Sequence, residues 1–460
     1  MPTDARSRRP TDYSQRVDRL VSDYARLDRG QRVRLGKPTS NLFRVRPRGD
    51  DHRLDVDGFA GVLDVDAETL TADVLGMTTY RDLVAATLPS GLAPMVVPQL
   101  GTITLGGAVA GLGIESTSFR AGCPHESVLE MDVLTGDGRV VTATATNEHS
   151  ALFHGFPNSY GTLGYALRLR IELERVQPYV HLRHMRYRSV DEAAATIDAV
   201  VRTGELDGVP VDYLDGVVLA RDRVVLSLAR GVPEAPYASD YTGRAVYWRS
   251  LADRSEDYLT IHDYLWRWDT DWFWCSRAFG VQNPAVRPLV PRSMKRSEVY
   301  WSAMNSLRRS QVIARADKLR RRRREFVIQD VEVPLDQLGR FLAFFDDEVG
   351  MLPIWLCPIR QRDPSTRWST FALEPEVTYV NVGFWGSVYV PPGTGSGWVN
   401  QRIEHEVSSC GGHKSLYSDS FYDRDQFERL YGGVEYAALK QQYDNDGRLQ
   451  DLFSKCVTNH

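Results

Sequence analysis

The sequence predicts a mixed helix-and-strand chain of two or three domains, and three observations carry that expectation. The first third alternates short β-rich runs with amphipathic helices. All ten tryptophans fall between Trp248 and Trp398, so the second half has a different lining. A chain of 460 residues can also bury more than one core. Apolar residues make up 42%, charged residues 25%, and the net charge is −4, as in an ordinary soluble protein. No run approaches the ~20 apolar residues of a membrane span. The start carries charge but no apolar h-region, so no secretory signal is expected. Five scattered cysteines without a CxxC pair argue against a disulfide framework and against a zinc or other metal site. The expected compartment is the cytoplasm.

Taken in order, VDRLVSDYARLD reads as a short amphipathic helix. GFAGVLDVDAETLTADVLG holds two short strands separated by acidic turn residues, and YRDLVAATLPSGL is helical up to its Pro-Ser-Gly break. VLEMDVLTGDGRVVTATAT is a hairpin turning at Gly-Asp-Gly. GTLGYALRLRIELERV alternates apolar and charged residues, as a half-buried strand does. The character changes after Pro178. From Arg308 to Arg324 the chain carries nine Lys/Arg and one Asp, a local +8 that leaves −12 elsewhere. A solvated helix face is one reading of this run. An anionic membrane surface, at about 1 kcal/mol per basic residue, is the sharper one, placing the protein peripherally on the inner face of the cell membrane. No nucleic-acid motif accompanies the run.

PQLGTITLGGAVAGLGIES, residues 98–116, packs five glycines among small and β-branched residues. Each costs roughly 0.5–1 kcal/mol in a helix or strand relative to alanine, so a ligand lying against bare backbone is the expected reason. Neither a dinucleotide fingerprint nor a P-loop fits the spacing. Together with NSYGTLGYALRLRIEL, this stretch resembles the flavin-binding domain of the vanillyl-alcohol-oxidase superfamily. TLGGAVAGLGIES, ALFHGFPNSYGTLGY, FVIQDVEVPL, LPIWLCPI, VTYVNVGFWG and GGHKSLYSDSFYDRDQF narrow the resemblance to the Δ24-sterol reductase (seladin-type) branch. Among bacterial relatives the chain most resembles the actinobacterial reductase that converts 10-methylene to 10-methyl fatty acyl chains.

The resemblance implies an α+β fold: a PCMH-type FAD-binding domain of two α+β subdomains, and a cap with an antiparallel sheet and helices. It implies a tail at 1–19, the FAD-binding domain at 20–178, the substrate cap at 179–414 and a segment returning to the FAD domain at 415–460. Carried over by position, the FAD would be lined by Thr104, Leu105, Gly106, Gly107, Ala108, Gly111, Gly113, Ile114, Glu115 and Ser116. Pro98, Gly101 and Thr102 would lead in, and Ser118, Gly122, Gly161, Thr162 and Gly164 would complete the pocket. KPTSNLF stands where the superfamily places its first diphosphate loop, which assigns Lys37, Thr39, Ser40 and Asn41 to the cofactor. That loop lacks the histidine of covalent flavins, and Cys123 is not in the covalent cysteine's context, so the FAD is read as non-covalent. The resemblance also implies NADPH as co-substrate, a fatty acyl or other lipid substrate, and a lipid methyltransferase as partner.

An isolated alkene has no carbonyl to stabilise a carbanion. The route is therefore protonation of the less substituted carbon to a tertiary cation, followed by hydride from the cofactor. That needs an acid, an apolar channel and aromatic faces. Trp355 and Trp385, in segments carrying the resemblance, are the expected substrate-side rings. Tyr417 in KSLYSDSFY is the first candidate acid, His413 a donor or relay, and Lys414 a group that lowers the Tyr417 pKa or binds phosphate. Glu115 is read as bonding backbone amides rather than as the acid. Asn158 and His154 precede a strand at the flavin, His154 more in keeping with the surface. Three functions compete: an NADPH-fed ene-reductase on a fatty acyl or Δ24-sterol lipid, an alcohol or sugar oxidase or dehydrogenase, and a flavin-holding scaffold without turnover.

Overall fold

A computed structural model describes residues 11–37, 43–44, 50–309 and 323–457. Helices and antiparallel sheets are mixed, as an α+β fold requires, and the sheets divide near Pro178.

The first sheet has strand order Val62–Asp66, Thr71–Leu75, Tyr165–Arg175, Val128–Leu134, Val140–Ala143, with Leu92–Pro94 pairing to the far end of Tyr165–Arg175. Helix Tyr80–Thr87 starts where the Thr79 hydroxyl accepts from the Asp82 N–H, and the turn after it ends at left-handed Gly91. Tyr165–Arg175 is not half-buried over its first turn of chain. It is a central strand, and residues Tyr165 to Leu169 are all buried. Arg168 survives there because three carboxylates surround it: Asp132 at 3.0 Å, with Asp73 and Glu130 beside it. Helix Thr11–Ala25 begins inside the stretch expected to be a tail. It buries Tyr13, Leu20 and Tyr24 on one face, and the Tyr13 hydroxyl donates to Asp132 at 2.8 Å.

The second sheet has eight strands in the order Glu256–Thr260, Tyr179–Tyr187, Arg223–Val232, Tyr213–Ala220, Ile354–Ile359, Tyr379–Val390, Arg323–Pro334, His413–Lys414, every pair antiparallel. One face packs Leu214, Val218, Leu226 and Val331 on helices Val190–Thr203, Leu338–Glu348 and Trp398–Ser409. The opposite face, with Val217, Val225, Trp355 and Tyr379, shares one continuous core with the first sheet. That alternation turns one side of the second sheet toward the glycine-rich stretch.

The chain's last part closes the seam. The Phe43 N–H donates to the Tyr417 carbonyl (2.9 Å), the Val33 N–H to the Arg448 carbonyl (3.0 Å), and Arg44 to the Leu416 carbonyl (2.5 Å). Among the described residues no helix is long and apolar enough to cross a membrane.

Candidate active site

A cavity of about 360 Å³ lies between the two sheets. One wall is the glycine-rich stretch. Thr104 is extended, its hydroxyl accepts from the Gly107 N–H (3.2 Å), and helix Leu105–Ala110 follows. The glycines here serve two different ends. A Cβ on Gly106 would stand 2.8 Å from the Gly76 carbonyl oxygen, and one on Gly113 would stand 2.7 Å from Pro98 Cγ. Those two positions are glycine because the protein's own atoms approach, which the expectation of a ligand did not foresee. A Cβ on Gly107 would also meet the protein, 2.7 Å from Thr104 Oγ1, but of these three glycines it is the exposed one, and it lines the cavity. Lys37 reaches the same spot, its Nζ 3.3 Å from Thr104 Oγ1 and 3.6 Å from where a Gly107 Cβ would be.

Charge in the lining favours an anion. Arg32, Arg34, Lys37, Arg44 and Lys455 are set against the carboxylates of Asp51 and Asp330. A diphosphate fits this wall, with cations and a bare helix turn at Gly107. Gly107→Val is expected to give protein without flavin, and the wild type is expected to purify yellow and to release its flavin on acid precipitation. The 450 nm absorbance of the purified variant checks this; wild-type absorbance would remove Gly107 from the cofactor wall.

The facing wall is aromatic. Phe43 stacks on Trp272 at 5.5 Å and meets Tyr417 edge-on at 5.8 Å. Phe273 lies 4.3 Å from Trp385 and 5.5 Å from Trp355. Into this apolar wall the paired strands Arg323–Pro334 and Tyr379–Val390 place a small polar network. The Tyr417 hydroxyl donates to Asp330 Oδ2 (2.7 Å) and accepts from the Trp385 indole N–H (2.9 Å), while Asn381 donates to Asp330 Oδ1 (2.9 Å). Ser415 donates to Glu332 at 2.8 Å, one alternation along the same strand. Burial pushes Asp330 up to about 6 and Glu332 well above the usual carboxylate range. Burial, reinforced by the neighbouring Asp330, lifts the Tyr417 phenol well above its ordinary value. Asp330 is thereby drawn toward neutrality, and both it and the Tyr417 it accepts from line the cavity.

Of the residues expected at the site, the cavity brings together Lys37, Pro98, Thr104, Gly106, Gly107, Gly111, Gly113, Ile114, Gly161, Gly164, Trp355, Trp385 and Tyr417. The others lie behind it. Leu105 and Ala108 face the core, and the Gly101 N–H donates to Asp269 (3.0 Å). Glu115 accepts from the Ser116 N–H (2.9 Å) and from Arg267 (2.7 Å), Ser116 bonds Tyr264 (3.0 Å), and Ser118 accepts from the Glu115 N–H (3.0 Å). Thr162 bonds the Ser159 carbonyl (2.7 Å), Gly122 packs on Glu126, and Thr102 is not in the lining. Thr39, Ser40 and Asn41 lie outside the described residues, as does most of the Arg308–Arg324 run.

Two of the three candidate catalytic residues are elsewhere. Lys414 is fully buried against Glu404 (2.5 Å) and the Asp419 carbonyl (2.6 Å), so it fastens helix Trp398–Ser409 and cannot lower the Tyr417 pKa. His413 sits between Phe371 and Tyr379, and burial lowers it to about 4, leaving it neutral and off the cavity wall. Asn158 donates to the Thr370 carbonyl (3.0 Å) and His154 bonds the Ser150 carbonyl (2.8 Å); neither lines the cavity. Cys123 is buried, and burial raises its thiol pKa. Sequence reasoning missed Asp330, Asn381, Trp272 and Phe273. A signal for Asp330 existed, since FVIQDVEVPL puts two acids, 330 and 332, on one face of an otherwise apolar strand.

Residues 31–144 match the model of an FAD binding domain. The Δ24-sterol reductase of Arabidopsis thaliana is 24% identical over 458 residues, covering 89% of this chain and 77% of the relative. The Δ24-sterol reductase of Homo sapiens is 24% identical over 408 residues, 86% of this chain and 75% of the relative. Cytokinin dehydrogenase 5 of Arabidopsis thaliana is 29% identical over 222 residues, 45% of this chain and 39% of that protein. The chain carries an FAD-binding domain of the PCMH type, and its likeness to Δ24-sterol reductases extends well beyond that domain.

Proposed function

We propose that this protein is an FAD-dependent reductase that saturates an isolated carbon–carbon double bond of a long apolar lipid, a 10-methylene fatty acyl chain, with NADPH as electron donor. The observation that carries it is the Asp330–Tyr417–Trp385 network: a proton-bearing group set in an aromatic wall that faces the glycine-lined cofactor wall. Bound FAD supplies the hydride.

The protein's own residues supply the rest. With Asp330 protonated, its proton moves to the Tyr417 oxygen as Tyr417 gives its own proton to the less substituted alkene carbon. Tyr417 ends neutral and Asp330 ends as the carboxylate, so the high phenol pKa is never crossed. The more substituted carbon becomes cationic beside Trp385, Phe273 and Trp355, whose π-faces are worth roughly 2 kcal/mol or more to a desolvated cation. The same rings keep water from that carbon. An alcohol oxidase would instead want a base free to accept a hydroxyl proton, and Asp330 is held by two donors.

NADPH is expected to bleach the bound flavin anaerobically, and a 10-methylene acyl lipid to restore its colour. In deuterated solvent one deuterium should appear on the former methylene carbon. Colour restored by a Δ24-sterol alone would move the substrate to sterols. Bleaching by an alcohol, with no response to any alkene, would overturn the reductase reading.

A further inference from the structure

Between Trp272 and Ser297 the chain carries five cations, Arg277, Arg287, Arg292, Lys295 and Arg296, and no carboxylate. Within that span the loop at 283–296 exposes Val286 (42%), Leu289 (82%) and Met294 (50%), three of the few large apolar side chains left on the surface. Exposed prolines 284, 288 and 291 stiffen it.

The loop is anchored from below. Arg287 is buried, with Asp271 at 2.7 Å and the carbonyls of Tyr241 and Ala245 each at 2.8 Å. Lys295 donates to the carbonyls of Thr242 and Gly243, both at 2.9 Å. So two of the five cations hold the loop, and Arg277, Arg292 and Arg296 remain exposed, Arg292 with Asp240 at 2.7 Å. The root adjoins the cavity: Asp271 bonds Arg287 and the Lys295 carbonyl, and the next two residues, Trp272 and Phe273, line the aromatic wall. These three consecutive residues have φ of 68°, 47° and 57°, a costly backbone that the anchors hold in place.

We infer that the 283–296 loop is a membrane-docking finger: Val286, Leu289 and Met294 enter the headgroup boundary of an anionic bilayer, and the exposed arginines meet its phosphates. An apolar tip with a basic rim and no acid within 26 residues of chain is complementary to that surface. Its use for delivering lipid past Trp272 rests on the proposed reductase reading; the docking does not.

Flotation of the full chain with phosphatidylglycerol-containing vesicles tests it, against pure phosphatidylcholine. The wild type is expected to float with the anionic vesicles and to dissociate as salt rises. Val286→Asp/Leu289→Asp should weaken that binding by about tenfold or more, with an unchanged thermal midpoint, since both side chains are already exposed. Double-variant binding equal to wild type would overturn the inference, because basic residues elsewhere would then do the binding. So would failure of the wild type to float at low salt, or a wild-type dimer that the substitutions make monomeric. Alkene turnover in detergent separates the two readings. Vesicle binding without turnover would sink only the reductase; turnover without vesicle binding would sink only the finger.

Discussion

Tyr417→Phe is expected to slow the alkene-driven recovery of flavin colour by about 10²–10⁴-fold, while flavin content and bleaching by NADPH stay at wild-type levels. The substitution keeps the ring that meets Phe43 at 5.8 Å and removes only the hydroxyl that joins Trp385 to Asp330. Asp330→Asn should cost a similar factor, because the amide cannot replenish the phenol's proton. The two variants differ in what they do to pH dependence. In the wild type the competent form is protonated Asp330, whose pKa burial raises to about 6, so the rate should fall as pH rises through that value. Asp330→Asn should flatten the profile at its low level. Stopped-flow recovery between pH 5 and 8 reads both. A Tyr417→Phe rate equal to wild type would place the donor elsewhere, with Ser415, which lines the same cavity and donates to the buried Glu332 behind it, next in line.

The largest effect on stability is expected at Arg267. Its guanidinium is fully buried, with Glu115 at 2.7 Å and Asp215 at 2.9 Å. The same Asp215 oxygen also receives the indole N–H of Trp268 (2.7 Å) and of Trp355 (3.3 Å). Arg267→Met leaves two carboxylates in the core without their cation, at a cost of about 3–5 kcal/mol. The sign with pH follows from Glu115, which burial already raises above its ordinary value. Without Arg267 it rises further, so the folded state holds a proton that the unfolded chain releases. The deficit should therefore be smallest in acid and grow as pH rises through the folded value. Urea unfolding at pH 5 and 8 measures it, and a deficit independent of pH would mean that the carboxylates had found other partners.

Local features were legible in the sequence and assembled ones were not. Thr79 and Gly91 bound a helix that their residue types announce, and the Val128–Ala143 hairpin turns where Gly-Asp-Gly says it must. Gly107 reads from the sequence as a cofactor position, and it is the exposed glycine of its helix turn. Gly106 and Gly113 could not be told from it, since their partners, Gly76 and Pro98, come from other parts of the fold. Asp330 meets Tyr417 only because strand Arg323–Pro334 lies between Tyr379–Val390 and His413–Lys414 in a particular register. His413 and Lys414 show the converse: nearness in sequence to Tyr417 did not bring them to its wall.

The cavity draws on segments far apart in the sequence. Arg32, Phe43 and the glycine stretch emerge early from the ribosome, whereas Tyr417, Gln450 and Lys455, which close over them, come about 300–420 residues later. At ~5–20 residues per second, that gap is roughly 15–85 s of translation. During it a nascent chain holds the cofactor wall without its lid. A complete FAD site thus waits for residues 417–455, and FAD bound there would tie segments made early to segments made much later.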